Sequence, residues 1–398
     1  MPQTNLSRDQ RLMICFSAMR NIADLFLGTF LISFLMHLSA NEIVSVSMYR
    51  LFEYLATCAG FFILANWCKR YNKVAVFALN LIPKIALLCA IIFLGDRVVE
   101  YIIPLGLLYG IGAAMYHLPM NTMVGEKVDN YKMGRFIGTK SAVNYAVKII
   151  SPIVLGFFID TGSYTQMAYT LLIMSCVELV MIFFMSPSRH RSCKNTDFIG
   201  FWRCMLRFPV VRRMFASEVL RGFGLGLLGT VITMYTVYMF KTDLNLGIFT
   251  TVFSGCSVAT SWALGRFGKH KYYPYILVGA MVAILGAMTL FVWQTVPATF
   301  LIYNFIYATA IVLLDQICSV NMFKLSRSKC VTKNHKVEYF VFRDFALFIG
   351  RWIGFTGLMY IGVFGGYEWL RWYLVIITAA LLSVGAMSVK LSRNIRGR

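Results

Sequence analysis

The chain has 398 residues, 59% of them hydrophobic and 14% charged, against about 25% charged in a soluble globular domain. So few charges cannot cover a water-facing shell, and a mean hydropathy of +0.68 assigns most side-chain surface to lipid. The net charge is +21, from 38 Lys and Arg against 17 Asp and Glu. In a soluble protein it would suggest nucleic acid, so the placement of the charges has to decide.

A helix needs about 20 apolar residues to cross a hydrocarbon core about 30 Å thick. In chain order the apolar runs predict spans at 14–38, 43–66, 74–95, 98–122, 135–159 and 164–186. A second set follows at 214–240, 245–264, 273–293, 296–322, 338–363 and 368–389. With both termini cytoplasmic, nearly all the flanking Lys and Arg fall on the cytoplasmic side; Arg97, Lys241 and Arg371 fall at the external side, Arg371 at the outer end of the last span. This is the positive-inside pattern, so the basic excess is an orientation signal and no nucleic-acid partner is expected. The first apolar run is too long for a cleavable signal and has no small-residue cleavage site behind it.

Between spans six and seven lies the longest polar connection, 187–213. Its second part interleaves Phe198, Phe201, Trp202, Met205 and Phe208 with Arg203, Arg207, Arg212 and Arg213. That pattern suits an amphipathic helix on the anionic inner leaflet, and a linker between two bundles is compatible with it. The ten cysteines form no C-x-x-C pair and have no His cluster nearby, which argues against a zinc or iron–sulfur site. No metal and no cofactor is expected. The motifs G-x4-G-K-[ST], G-x-S-x-G and H-E-x-x-H are missing, so neither a nucleotide-driven pump nor an enzyme is indicated.

Three segment pairs recur half a chain apart. Arg20-x7-Gly28-Thr29 matches Arg221-x7-Gly229-Thr230, and Lys140-x7-Lys148 matches Arg343-x7-Arg351. The loop Arg70-Tyr71-Asn72-Lys73 resembles Arg266-Phe267-Gly268-Lys269. Three matches in order, at equivalent spans, predict an all-α membrane protein of twelve helices in two pseudo-symmetric six-helix bundles. Its expected parts are 1–186, a linker at 187–213, and 214–398. Two such halves around a central cleft are the plan of a parallel-repeat carrier.

On these residues the chain resembles the major facilitator superfamily, over essentially its whole length. The family's loop after helix two reads roughly G-x3-D-R-x-G-R/K. Arg70 and Lys73 in the first half, and Gly265, Arg266, Gly268 and Lys269 in the second, resemble that gating loop. Lys69 and Gly265 stand where the family has Asp, so a standard latch is not implied. Arg135-Phe136-Ile137-Gly138, continuing to Ser151-Pro152, looks like the family's fifth helix, with Ser151 where drug:proton antiporters carry Gly. Tyr116, Asn121 and Glu126, with Glu338, Arg343, Asp344, Gly350 and Arg351, are similar to a YqgE-like bacterial branch. The resemblance implies a monomer in the bacterial inner (cell) membrane, working by alternating access on a small-molecule substrate.

Charges in mid-bilayer cost about 2.5–3.5 kcal/mol each on insertion scales, so they tend to face a cavity or a partner. Lys148 lies 13 residues into its span, about 20 Å along the helix, and Arg351 is placed similarly. Lys140 and Arg343 sit eight residues earlier, a rotation of about 80°, so each pair shares a broad face. The resemblance puts these four at or near the cleft. Arg20 and Arg221, on helices one and seven, resemble the anion-holding arginines of organophosphate:phosphate antiporters, and could instead snorkel to the interface.

Asp24, Glu53, Glu218, Asp315 and Asp344 are read as the acids within spans, against eight basic residues. The expected cleft is therefore modestly positive and suited to an organic or phosphorylated anion. Glu218 with Arg221, Arg50 with Glu53, and Asp344 with Arg343 are placed for local ion pairing. Asp315 and His117 stand at corresponding positions of the two halves and could pair as a structural hydrogen bond or as a proton relay, with Asp344 as a further coupling candidate. Coupling to protons or to a counter-anion is expected. A lipid flippase or proton-coupled efflux of a hydrophobic compound remains open as an alternative.

Overall fold

In the computed structural model, the described residues are 6–128, 130–161, 163–187, 196–267, 272–326 and 336–396. Among them all regular structure is helical and no strand occurs. The α-helices are α1 (Arg8–Leu25), α2 (Leu31–Leu38), α3 (Glu42–Arg70), α4 (Lys73–Ala78), α5 (Leu81–Leu94), α6 (Ile102–Lys127), α7 (Asn130–Thr161) and α8 (Tyr164–Ile182). Then come α9 (Phe198–Leu206), α10 (Pro209–Phe240), α11 (Asp243–Phe267), α12 (Tyr273–Trp293), α13 (Pro297–Ser326), α14 (Lys336–Phe364) and α15 (Gly366–Arg396).

Among the described residues, eleven helical segments are long and apolar enough to cross a membrane. One of them, Lys73–Val124, has 52 residues and folds back on itself after Gly95, whose φ of +51° ends α5. Pro83 on α5 lies against Gly112 on α6, so the two arms are antiparallel neighbours. The segments thus give twelve membrane helices. The break between α4 and α5 falls at Leu79 and Asn80, one turn before Pro83, whose missing N–H interrupts the helical ladder.

Two compact units divide the chain: Met1–Thr196 with Lys241–Thr251, and Asp197–Phe240 with Val252–Arg398. In the first, α3 packs along α6, α1 along α7, and α5 along α8. In the second, α10 packs on α14 and α15, and α12 on α13. The α10–α14 contact depends on two glycines: a Cβ at Gly222 would come 2.1 Å from the Leu347 oxygen, and one at Gly350 1.9 Å from the Val219 oxygen.

Local signals set the ends of several helices. Ser7 and Gln10 form a reciprocal capping box that starts α1. Asn41, Asn72 and Ser163 cap α3, α4 and α8 through their side chains. The expected amphipathic helix is α9. Its Phe201 and Met205 are buried in a cluster with Met214, Tyr339 and Phe342, while Ile199, Leu206 and Phe208 stay exposed.

Candidate functional site

Between α1 and α2 the helix widens into a π-helical turn, Phe26–Phe30. A π turn disrupts the i→i+4 ladder and leaves carbonyls to be satisfied from outside. Two side chains of α3 do this: the Tyr49 hydroxyl donates to the Leu27 oxygen at 3.1 Å, and the Arg50 guanidinium donates to the Gly28 oxygen. Arg50 also donates to Glu53 at 2.6 Å.

Nearly two turns earlier on α1, Arg20 is 5% exposed and pairs with Asp24 at 2.7 Å. Its guanidinium lies over the rings of Tyr109 and Tyr116, at 5.5 and 5.2 Å, and the Tyr109 hydroxyl donates to Asp24 at 2.9 Å. Arg20 is therefore held by a carboxylate and two aromatic faces, and does not snorkel to the surface.

Lys84 on α5 meets Glu178 on α8 at 2.8 Å. Glu178, in an apolar run of α8, is a further acid within a span beyond the five read from the sequence. It corrects the expected balance, because Arg20, Arg50 and Lys84 are each matched by a carboxylate in the N-terminal unit. Of the five cations read within the first six spans, Lys140 and Lys148 on α7 are the two with no ion pair among the described residues.

On α7, Lys140 is half-buried and Lys148 exposed, and neither has an ion pair or hydrogen bond among the described residues. Asn144, midway between them, exchanges a hydrogen bond with Ser17 of α1 at 3.2 Å. One turn beyond Lys148, Pro152 is covered by Gly247, and Gly156 by Asp243, both at the start of α11. The exposed apolar residues Ile150, Ile153 and Phe157 lie about 140–200° around the helix from Lys148. Lys148 is exposed on the side of α7 that carries Asn144 and Pro152, with exposed Phe158 about 80° away from it.

In the C-terminal unit, Glu218 accepts from Arg221 at 3.1 and 3.2 Å and lies 3.5 Å from Arg343. Arg221 donates also to Asp315, and Arg343 lies 3.8 Å from its neighbour Asp344. Within this network the Asp315 side chain is 47% exposed and that of Arg221 8%. Arg351 lays its stem across Gly226, where a Cβ would come 2.7 Å from the arginine Cγ. The expected partner of Asp315 in a relay, His117, is exposed and stands edge-on to Tyr116 at 5.1 Å. At the gating loops, Arg70 ends α3 and is exposed, while Lys73 begins α4 and is buried. Gly265 and Arg266 close α11; Gly268 and Lys269 lie outside the described residues. Among the described residues, no group of three or more His, Cys, Asp or Glu is placed to hold a metal ion.

The sequence matches the model of the Major Facilitator Superfamily over residues 12–329. The chain belongs to this superfamily of membrane transporters. It is accordingly a multi-pass transporter and not an enzyme. It is 23% identical over 321 residues to the uncharacterized protein YqgE of Bacillus subtilis, covering 78% of this chain and 73% of that one. Solved structures similar to it include a bacterial homologue of the iron transporter ferroportin in an inward-facing state (14% identity, TM-score 0.69, 98% of this chain and 99% of that one). A D-xylose–proton symporter (10%, 0.69, 95% and 96%) and the human organic anion transporter MFSD10 (11%, 0.66, 96% and 100%) share the same fold.

Proposed function

We propose that this superfamily member is a secondary carrier that moves a small organic or phosphorylated anion by alternating access, with Lys148 as its first anchor. The observation that carries this reading is the contrast among the cations within the membrane. Arg20, Arg50, Lys84, Arg221 and Arg343 all have carboxylates, whereas Lys148 is exposed and has none among the described residues. A charge at that depth is costly to keep unless it serves a ligand. Lys140, on the same face, and Arg351, at the equivalent place on α14, are its supporting anchors. Arg20 and Arg221 are structural centres that hold the two networks, and act on substrate through them. The carrier sits in the bacterial inner membrane as a monomer with both termini cytoplasmic, and Asp315, the exposed edge of the Arg221 network, takes the coupling proton. Asp344 and His117 are secondary candidates for that step.

Transport assays in proteoliposomes test the reading. Lys148→Ala and Arg351→Ala should abolish uptake while leaving expression and melting temperature unchanged. Wild-type rates in both variants would sink the assignment.

A further inference from the structure

Helices α12 and α15 leave a groove of about 340 Å³ in the C-terminal unit. Its walls include Met288, Val292 and Trp293 from α12 and Trp372, Val375 and Leu382 from α15. From Trp293 to Leu285, also in the lining, the groove follows α12 for about 12 Å. Trp293 and Trp372 stand at one end, 83% and 54% exposed. Amphipathic Trp side chains concentrate at the membrane–water boundary, so that end lies at headgroup level and the apolar remainder runs into the hydrocarbon.

At the tryptophan end the groove meets a cation. Arg371 lies over the Trp372 ring at 5.5 Å and donates through Nη1 to Thr295, two residues beyond Trp293, at 3.1 Å. Its Nε is buried and has no hydrogen-bond partner, and its charge also reaches the Tyr235 hydroxyl. Glu368, one turn earlier on α15, forms no ion pair among the described residues and so leaves this charge uncompensated. Arg371 is also one of the three basic residues that fall on the side opposite the basic excess, so orientation does not account for it. A guanidinium held beside the groove through Nη1, with its charge not matched by Glu368, suits the phosphate of an anionic headgroup.

We propose that this groove is a phospholipid site: one acyl chain lies between α12 and α15, and Arg371 binds the phosphate of an anionic headgroup.

Bromine on an acyl chain quenches tryptophan only on contact, which gives the test. The full-length protein is placed in phosphatidylcholine nanodiscs, and fluorescence is followed as acyl-brominated phosphatidylglycerol or acyl-brominated phosphatidylcholine replaces the unlabelled lipid. The anionic bromolipid should reach half-quenching at about a fivefold lower mole fraction, the preference one basic residue confers near a membrane surface. Arg371→Gln should erase that preference and retain unselective quenching, a sign that the helices remain folded. Ala379→Phe, which fills the groove, should lower quenching by both lipids. Equal quenching by the two lipids in the wild type, an unchanged preference in Arg371→Gln, or unchanged quenching in Ala379→Phe would each overturn the proposal.

Discussion

Lys84 and Glu178 meet at 2.8 Å between α5 and α8, with 2% and 8% of their side chains exposed. Breaking a buried pair by removing one member strands the other charge, at a cost of about 3–5 kcal/mol. Lys84→Met should therefore lower the melting temperature in detergent sharply. Adding Glu178→Leu should restore most of it, because an apolar pair of similar volume needs no desolvation. A double variant as unstable as the single one would show that the pair does more than neutralise itself.

The two glycines between α10 and α14 have a built-in comparison. Gly222→Ala and Gly350→Ala would each push a methyl against a facing backbone oxygen, an overpacking that costs about 1–3 kcal/mol or more. Gly229 has nothing within 4 Å of a Cβ position. Gly229→Ala should leave expression and melting unchanged where the other two lose folded protein, read by fluorescence-detected size exclusion.

Asp315 should separate coupling from binding. Asp315→Asn keeps the shape and an acceptor for Arg221 but removes the titrating charge. Uptake driven by a proton gradient should fall at least about tenfold, a contribution of the order of 1.4 kcal/mol. Counterflow exchange, which needs no net proton movement, should persist. Loss of both activities together would place Asp315 in binding or in structure.

Orientation follows from the basic residues. In a background lacking native cysteines, Lys241→Cys should react with a membrane-impermeant maleimide from outside intact cells. Arg203→Cys should react only after permeabilisation. The opposite labelling would invert the topology.

The twelve spans are legible because each needs about 20 apolar residues and little else. The amphipathic pattern of α9 was also legible, but not which of its residues would dock: Phe201 and Met205 turn onto the C-terminal unit, and Ile199, which the pattern had left out, is exposed. The pairs Arg50–Glu53 and Arg221–Glu218 could be read from i,i+3 spacing. Lys84–Glu178 could not, since 94 residues separate its partners and the acid lies in a run that reads as lipid-facing. The π turn at Phe26–Phe30 leaves no periodic trace either; its only sequence signal is Tyr49-Arg50, two donors on the neighbouring helix aimed at its carbonyls. The aromatic cover of Arg20 by Tyr109 and Tyr116 was hidden for the same reason, being a contact between helices.

The central claim is that Lys148 meets an anionic substrate. Its most direct test is a thermal-shift screen of the purified protein in detergent against anions, cations, lipids and drug-like compounds, because a ligand that binds the folded state raises its melting temperature. One class of small anion should stabilise the protein, with the shift lost in Lys148→Ala and kept in Lys148→Arg. Stabilisation confined to lipids or hydrophobic cations, or an anion shift that survives in Lys148→Ala, would contradict it.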